Sequence, residues 1–211
     1  MTGLSETIAD FVVGSRWDNV TQCVREHAVR CIFNGFGTAA GGSTDRAVLR
    51  MIEAVAPFSG GAAASVIGHS ARYDAPTAAF INAAAINVHD FDDSHAGTII
   101  HPTAPVLPAA LAIAEGQRIS GAELLHAFVL GVEVACRLGN AVSPGHYGRG
   151  YHITSTCGIF GAAMAAAKLL RLERTETLWA LGHAAAQSSG LVEMLGYMSK
   201  SVGVGGAARN G

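Results

Sequence analysis

The sequence predicts an all-α protein, a helical bundle that forms a single domain over residues 1–211. Three observations support this prediction. Apolar residues recur at spacings of three and four positions in successive stretches, as on the buried face of an amphipathic helix. Residues that favour helix starts and stops flank these stretches. No stretch alternates apolar and polar side chains for long enough to indicate a sheet.

The first three predicted helices each begin at a residue that can cap a helix and end where the apolar periodicity stops. They are a short helix over residues 4–13 capped by Ser5, a longer one from Asp18 to Gly41 and Gly42, and one from Thr44 and Asp45 through Ala54. A Gly-rich connector over residues 57–70 follows, with a brief extended piece at residues 64–67.

A fourth helix is predicted to begin at Asp74, because an Asp cap followed by Pro76 in the first turn is a strong helix start. We expect it to continue through Val88 into a group of carboxylates. It would then place His89 and Asp93 one turn apart on one face.

Four further helices are predicted after Pro102, and Gly-rich or polar residues separate them. They run roughly over residues 105–115, onward from the capping box formed by Ser120 and Glu123, over residues 158–170, and over residues 175–187. Residues 143–157 are predicted to form a loop. The tail, residues 198–211, is assigned to no element.

Composition and charge indicate which classes of partner and environment the sequence favours. Half of the residues are hydrophobic and 14% are charged, against ~25% in an average soluble domain, which suggests a large buried surface. The net charge of −2 gives no indication of a nucleic-acid or acidic-membrane partner. Four cysteines without a CxxC pair favour a reduced protein. With neither a signal peptide nor a membrane span predicted, we expect a soluble, cytoplasmic protein.

Ionisable side chains are concentrated in residues 88–102. This stretch contains three aspartates and three histidines: Asp90, Asp92, Asp93, His89, His95 and His101. Residues 75–114 carry no other formal charge. Buried ionisable groups are costly unless they are paired or functional, so we interpret the stretch as half of an active site.

Two other segments could supply partners. His152 lies at a predicted loop-to-helix junction, where a helix N-terminus favours an anion such as a substrate carboxylate. Lys200 is one of only two lysines in the chain, and in an apolar setting it could bind a carboxylate or act as a base. Arg209 could add a second carboxylate clamp.

Each of these residues also has a structural interpretation. The carboxylates could form a solvated helix end, His89 and Asp93 could be a structural pair, and the isolated histidines could be ordinary satisfied side chains. Two alternatives from other functional classes also stay open. One is a metal-dependent helical hydrolase, which needs several His and Asp ligands converging from separate helices and which Lys200 would disfavour. The other is a non-catalytic dimerisation domain.

Taken together, these segments resemble the MmgE/PrpD family, which includes 2-methylcitrate dehydratases, cis-aconitate decarboxylases and iminodisuccinate epimerases. The matching segments occur in the family's order across most of the chain. They are HDFDDSH at residues 89–95, HPTAPVLP at 101–108, SGAELL at 120–125, SPGHY at 143–147, YHITSTC at 151–157, MSK at 198–200 and AARNG at 207–211.

The resemblance implies a helical domain that forms a homodimer contact and a smaller α+β lid domain, with the active site between them and no metal or organic cofactor. It also implies a chain about twice as long, so we expect this chain to be a fragment without the lid. By matching position, the residues of this domain that reach the pocket would be Asp90, Ser94, His101, His152 and Lys200.

The implied substrate is a small di- or tricarboxylate such as 2-methylcitrate. Our leading hypothesis is a dehydratase-like lyase in which His101 and His152 share the acid–base work. Lys200 would bind the substrate or transfer protons, and Asp90, assisted by Ser94, would orient an imidazole or bind a substrate hydroxyl or amine. Iminodisuccinate epimerisation and cis-aconitate decarboxylation are the alternatives within the family.

Overall fold

The computed structural model describes residues 3–211, and the predicted all-α class is confirmed. Ten α-helices account for most of these residues. They are α1 (Leu4–Gly14), α2 (Gln22–Gly42), α3 (Arg46–Val55), α4 (Ala75–Asn87), α5 (Thr103–Glu115), α6 (Gly121–Val142), α7 (Gly145–Gly148), α8 (Ile153–Leu169), α9 (Arg174–Gln187) and α10 (Ser199–Asn210). Two short strands, β1 (Ala64–Ser65) and β2 (Arg72–Tyr73), pair antiparallel within the connector.

Local capping signals located several helix starts correctly. The Asp74 carboxylate accepts a hydrogen bond from Thr77 N, 2.8 Å away, at the start of α4. Asp45 caps α3, and Ser120 with Glu123 forms the predicted capping box of α6.

Other predicted starts were wrong. Gly3 rather than Ser5 precedes α1, and α2 begins after Thr21 because Trp17–Asn19 forms a separate 3-10 turn. The predicted loop at residues 143–157 contains α7 and the first turn of α8.

Three helices, α4, α5 and α8, form the centre of the domain. Almost every residue of α4 after Thr77 is buried, and α8 is nearly as enclosed. Helices α2, α6 and α10 pack around them, with α6 against α8 and α10 against α4. A helix that is apolar on all sides is typical of such a central position.

Small residues allow the helices to approach closely. A Cβ on Gly131 of α6 would lie 2.6 Å from the carbonyl oxygen of Gly161 of α8, and a Cβ on Gly161 would lie 2.6 Å from that of Gly131. The two backbones therefore touch directly, and a side chain at either position would separate them.

Helix α10 covers the tail that the sequence left unassigned. Its Gly-rich composition has low helix propensity, so local sequence does not predict it. Packing provides the stability instead, since α10 lies on α4 and α8 and a Cβ on Gly205 would lie only 2.7 Å from the carbonyl oxygen of Phe80. Lys200 is the second residue of this helix.

Helix α6, with 22 residues, is long and apolar enough to cross a membrane by length and composition alone. Half of its most apolar window is buried within this domain, chiefly against α8. Core helices of soluble proteins share these properties, so α6 is weak evidence for a membrane segment.

Candidate active site

The loop between α4 and α5 carries the aspartates, and it is not helical. Helix α4 ends at Asn87, and Asp90 adopts a left-handed backbone conformation with φ of 55°. The expected continuation of α4, with His89 and Asp93 one turn apart, is therefore wrong. No ion pair joins His89 to Asp93 among the described residues 3–211, and His89 lies on the surface.

Two aspartates fix the shape of this loop from inside. The buried Asp92 accepts a hydrogen bond from Asn87 Nδ2, with 3.1 Å between Nδ2 and Oδ2. Asp93 accepts hydrogen bonds from Thr103 N at 3.2 Å and Thr103 Oγ1 at 2.8 Å. Thr103 is the first residue of α5, so Asp93 binds the N-terminus of this helix, which begins two residues before its predicted start.

His101 lies at the end of the loop beside two carboxylates. Its Nδ1 is 3.2 Å from Asp92 Oδ1, and its Nε2 is 3.8 Å from Asp90 Oδ1. Close contact with Asp92 raises the pKa of His101, although partial burial opposes that effect. The His101 backbone N–H donates to Thr154 Oγ1 at 3.2 Å, which ties the loop to the first turn of α8.

Ser94 joins the same group from the exposed side of the loop. Its hydroxyl lies 3.4 Å from His101 Nδ1, so it is a more distant partner of that nitrogen than Asp92.

His152 occupies the N-cap position of α8 and is 6% exposed. Its Nδ1 forms a hydrogen bond with Ser155 Oγ at 2.9 Å. Gly190 and Gly203 make room for Ser155, because a Cβ on either glycine would lie within 3.0 Å of that side chain. Burial is the main cause that lowers the pKa of His152 to about 4, and the positive charges of Lys200 and His101 lower it further.

Lys200 in the first turn of α10 completes the group. Its Nζ forms an ion pair with Asp90 Oδ1, and the lysine side chain is only 12% exposed while that of Asp90 is 56% exposed. The ammonium also contributes to the pKa values of both His101 and His152. Three segments far apart in the chain therefore meet at one place.

The structure brings together five of the six predicted site residues, namely Asp90, Ser94, His101, His152 and Lys200. Arg209 lies nine positions beyond Lys200 on α10, roughly 13 Å along the helix axis. Its guanidinium lies over the Phe80 ring at 5.4 Å. Its role as a carboxylate clamp stays a prediction without a contact to this cluster.

The sequence analysis gave no individual site role to Asp92, Thr154 and Ser155, which contact the two site histidines. Asp92 belonged to the conspicuous run of charge, but its direction depends on the fold of the loop. The two hydroxyl residues stand next to His152 in the sequence. Their contacts with His101 and His152 appear only once the tertiary structure is known.

Asp90, Asp92 and His101 offer ligand atoms within 4.8 Å of one another, a donor set that suits a divalent cation. The Lys200 ammonium, however, already pairs with the same Asp90 carboxylate. A second cation at the same carboxylate would be repelled by this ammonium, which argues against a metal ion bound there.

Comparison with known proteins shows the family of this chain. The model of the MmgE/PrpD N-terminal domain matches residues 6–211. The chain belongs to the MmgE/PrpD family.

Among relatives in this family, cis-aconitate decarboxylase of Aspergillus terreus is 31% identical over 221 residues, which cover 100% of this chain and 44% of the relative. Human cis-aconitate decarboxylase is 30% identical over 218 residues, which cover 100% of this chain and 45% of the relative. The mouse enzyme is 28% identical over 218 residues. This MmgE/PrpD chain thus spans less than half the length of these relatives.

Proposed function

We propose that this chain forms the helical part of a cofactor-independent lyase that acts on a small di- or tricarboxylate by proton transfer next to a carboxylate group. The observation that carries this proposal is the convergence of Lys200 and two imidazoles of opposite pKa shift on the Asp90 carboxylate. Pairs of titratable groups whose surroundings separate their pKa values are typical of acid–base sites.

The cationic groups suit a polycarboxylate. Lys200 and protonated His101 are ammonium and imidazolium donors on the exposed side of the site, and the N-terminus of α8 adds a favourable dipole. Asp90 is the more exposed partner of the ion pair, so a substrate carboxylate can take its place at Lys200. Asp90 can then orient His101 or accept a hydrogen bond from a substrate hydroxyl or amine.

The imidazoles suit the two halves of a proton transfer. His152 is neutral at physiological pH and can accept a proton, while His101 is held towards its protonated form and can donate one. In a dehydration, the base removes a proton next to a carboxylate and the acid protonates the departing hydroxyl, which leaves as water. In a decarboxylation, the carbon–carbon bond breaks, carbon dioxide leaves, and the acid protonates the remaining carbanion. Positive charge from Lys200 stabilises both carbanion-like states.

Cis-aconitate is the first substrate to test, because the relatives are named cis-aconitate decarboxylases. Dehydration of 2-methylcitrate and epimerisation of iminodisuccinate use the same proton transfers and differ in the bond that breaks. Beyond the substrate, we propose a cytoplasmic homodimer assembled through the helical domain, with a lid domain that closes the site.

The test is a proton NMR assay in heavy water of the full-length protein that its gene encodes. Cis-aconitate, 2-methylcitrate and iminodisuccinate are offered separately, and deuterium incorporation identifies the carbon that exchanges its proton. We expect turnover of one of them, unchanged by chelators. Failure to turn over any of the three, in a folded protein, would contradict the proposal.

Two further measurements separate the other classes of function. Stoichiometric bound metal together with loss of activity on chelation would favour the metal-dependent hydrolase, for which the Asp90, Asp92 and His101 donor set is the only structural support among the described residues. A dimer with no thermal shift in any of the three compounds would favour the dimerisation domain.

A further inference from the structure

Asp92 lies directly behind His101. Its side chain is 0% exposed, whereas the His101 side chain is 19% exposed. The 3.2 Å between His101 Nδ1 and Asp92 Oδ1 is within hydrogen-bonding range, and the other ring nitrogen faces Asp90. The imidazole therefore has an inner nitrogen against a buried carboxylate and an outer nitrogen towards Lys200 and its partner.

Asn87 holds Asp92 in place. A carboxylate can only accept, so the Asn87 amide must turn its Nδ2 towards Asp92, with 3.1 Å between Nδ2 and Oδ2. The Asn87 Oδ1 is then buried without a hydrogen-bond partner among residues 3–211. A buried polar atom without a partner destabilises the folded state. Asn87 therefore leaves its own oxygen unpaired and keeps the Asp92 carboxylate oriented towards His101.

We propose that Asp92 is a positioning residue that fixes the tautomer and direction of His101, so that Nδ1–H points inward and Nε2 faces the substrate. The inference rests on the proposed lyase function and deepens it, because it assigns the reacting atom of His101. In this arrangement Nε2 is the nitrogen that carries the transferred proton. A buried carboxylate behind an imidazole is a common means of setting which nitrogen reacts.

The neighbouring carboxylate provides a matched control. Asp93 is also largely enclosed, but its hydrogen bonds go to Thr103 at the start of α5 and not to an imidazole. Asp92→Asn and Asp93→Asn each remove one charge from the same loop and keep the side-chain volume. Only Asp92→Asn changes what His101 Nδ1 faces.

The first measurement is steady-state turnover of the full-length protein. We expect Asp92→Asn to lower kcat about 10- to 100-fold with KM changed less than about threefold, because general acid–base steps contribute about 10²- to 10⁴-fold. Asp93→Asn alters the link between the loop and α5 but leaves Asp92 against His101, so it should lower kcat clearly less than Asp92→Asn does. Equal losses of kcat in both variants, or an unchanged kcat in Asp92→Asn, would overturn the proposal.

The second measurement does not depend on activity. Nitrogen NMR of histidine-labelled protein identifies the tautomer of neutral His101, with the His101 signals assigned from a His101→Gln sample. We expect Nδ1–H in the wild-type protein and in Asp93→Asn, and a shift of the proton towards Nε2 in Asp92→Asn. An Nε2–H tautomer in the wild type overturns the proposal even if Asp92→Asn does not fold. An inactive wild type with the expected tautomer contradicts the lyase assignment and leaves the orientation of His101 supported.

Discussion

The two imidazoles of the site lie in opposite electrostatic surroundings. His101 ends a loop and faces two carboxylates, and contact with Asp92 raises its pKa. His152 begins a buried helix and has a serine hydroxyl as its partner. Burial lowers its pKa to about 4. The same side chain is therefore prepared in one place to carry a proton and in the other to remain without one.

The comparison shows that two histidines in one site can have opposite pKa shifts because their immediate surroundings differ. Carboxylates within a few ångströms favour the charged imidazole, while desolvation and nearby cations favour the neutral one. Lys200 stands between the two environments, since it pairs with Asp90 and also disfavours a charge on His152. The experiments below test whether this contrast has the expected consequences.

The largest expected effect is on turnover. His152→Ala or Lys200→Ala, in the full-length protein, should lower kcat/KM by about 10³-fold or more, because the proposed mechanism uses each group to transfer a proton or to bind the substrate. Circular dichroism should show little change in folding. The exposed His183 on α9 is a matched control, and His183→Ala should keep wild-type activity. Retained activity in both site variants would remove the assignment.

The second effect is a loss of stability in acid. His152 has a pKa of about 4 when folded, against the usual 6.5. The unfolded chain therefore binds the proton more readily between these values, and the free energy of unfolding should fall as the pH drops from 6.5 to 4. The contribution of His152 is about 3 kcal/mol at full effect.

His101 acts in the opposite direction, because its raised pKa stabilises the fold below pH 6.5 and that contribution is lost as the pH rises through the folded value. Urea unfolding of the wild type and of His152→Gln across this range isolates the His152 contribution. The wild type should lose more stability than the variant. Parallel curves would show that His152 is not held neutral.

The third effect is a loss of stability without a loss of activity, and it distinguishes the structural role of Lys168 from the proposed site role of Lys200. Lys168 donates to the backbone carbonyls of Val12 at 2.9 Å and Ser15 at 2.8 Å, so it ties α8 to the end of α1. Lys168→Met should lower the free energy of unfolding by about 2 kcal/mol. Activity below the melting transition should be unaffected. Lys168→Arg, which keeps the charge and donors, is the control, and a large loss of kcat in Lys168→Met would contradict the division of roles.

The smallest effect is on the pKa of His152 when Lys200 is neutralised. Lys200→Met removes a nearby positive charge, so the pKa of His152 should rise from about 4 but stay below 6.5, because burial is the larger cause of the shift. Titration of the His152 signal by NMR measures this change. A pKa that does not move would place Lys200 too far away to influence His152.

Features that depend on contacts between residues close in the sequence could be predicted, and features that depend on contacts between distant segments could not. Asp74, Asp45 and the pair of Ser120 with Glu123 start helices through contacts within three residues, so local sequence was enough. The end of α4 was missed because hydrogen bonds from Asn87 to Asp92 and from Thr103 to Asp93 shape the loop. Helix α10 was missed because its support comes from α4 and α8.

The sequence by itself determined the helical class, the concentration of charge in residues 88–102, and the pattern of motifs that identifies the family. The tertiary structure decided that Lys200 meets Asp90, that His152 is buried, and that Asp92 faces His101. Caps and apolar periodicity act over one or two turns and can be seen along the chain. The charge state of an imidazole depends on burial and on groups brought from distant segments, and only the packed fold determines these.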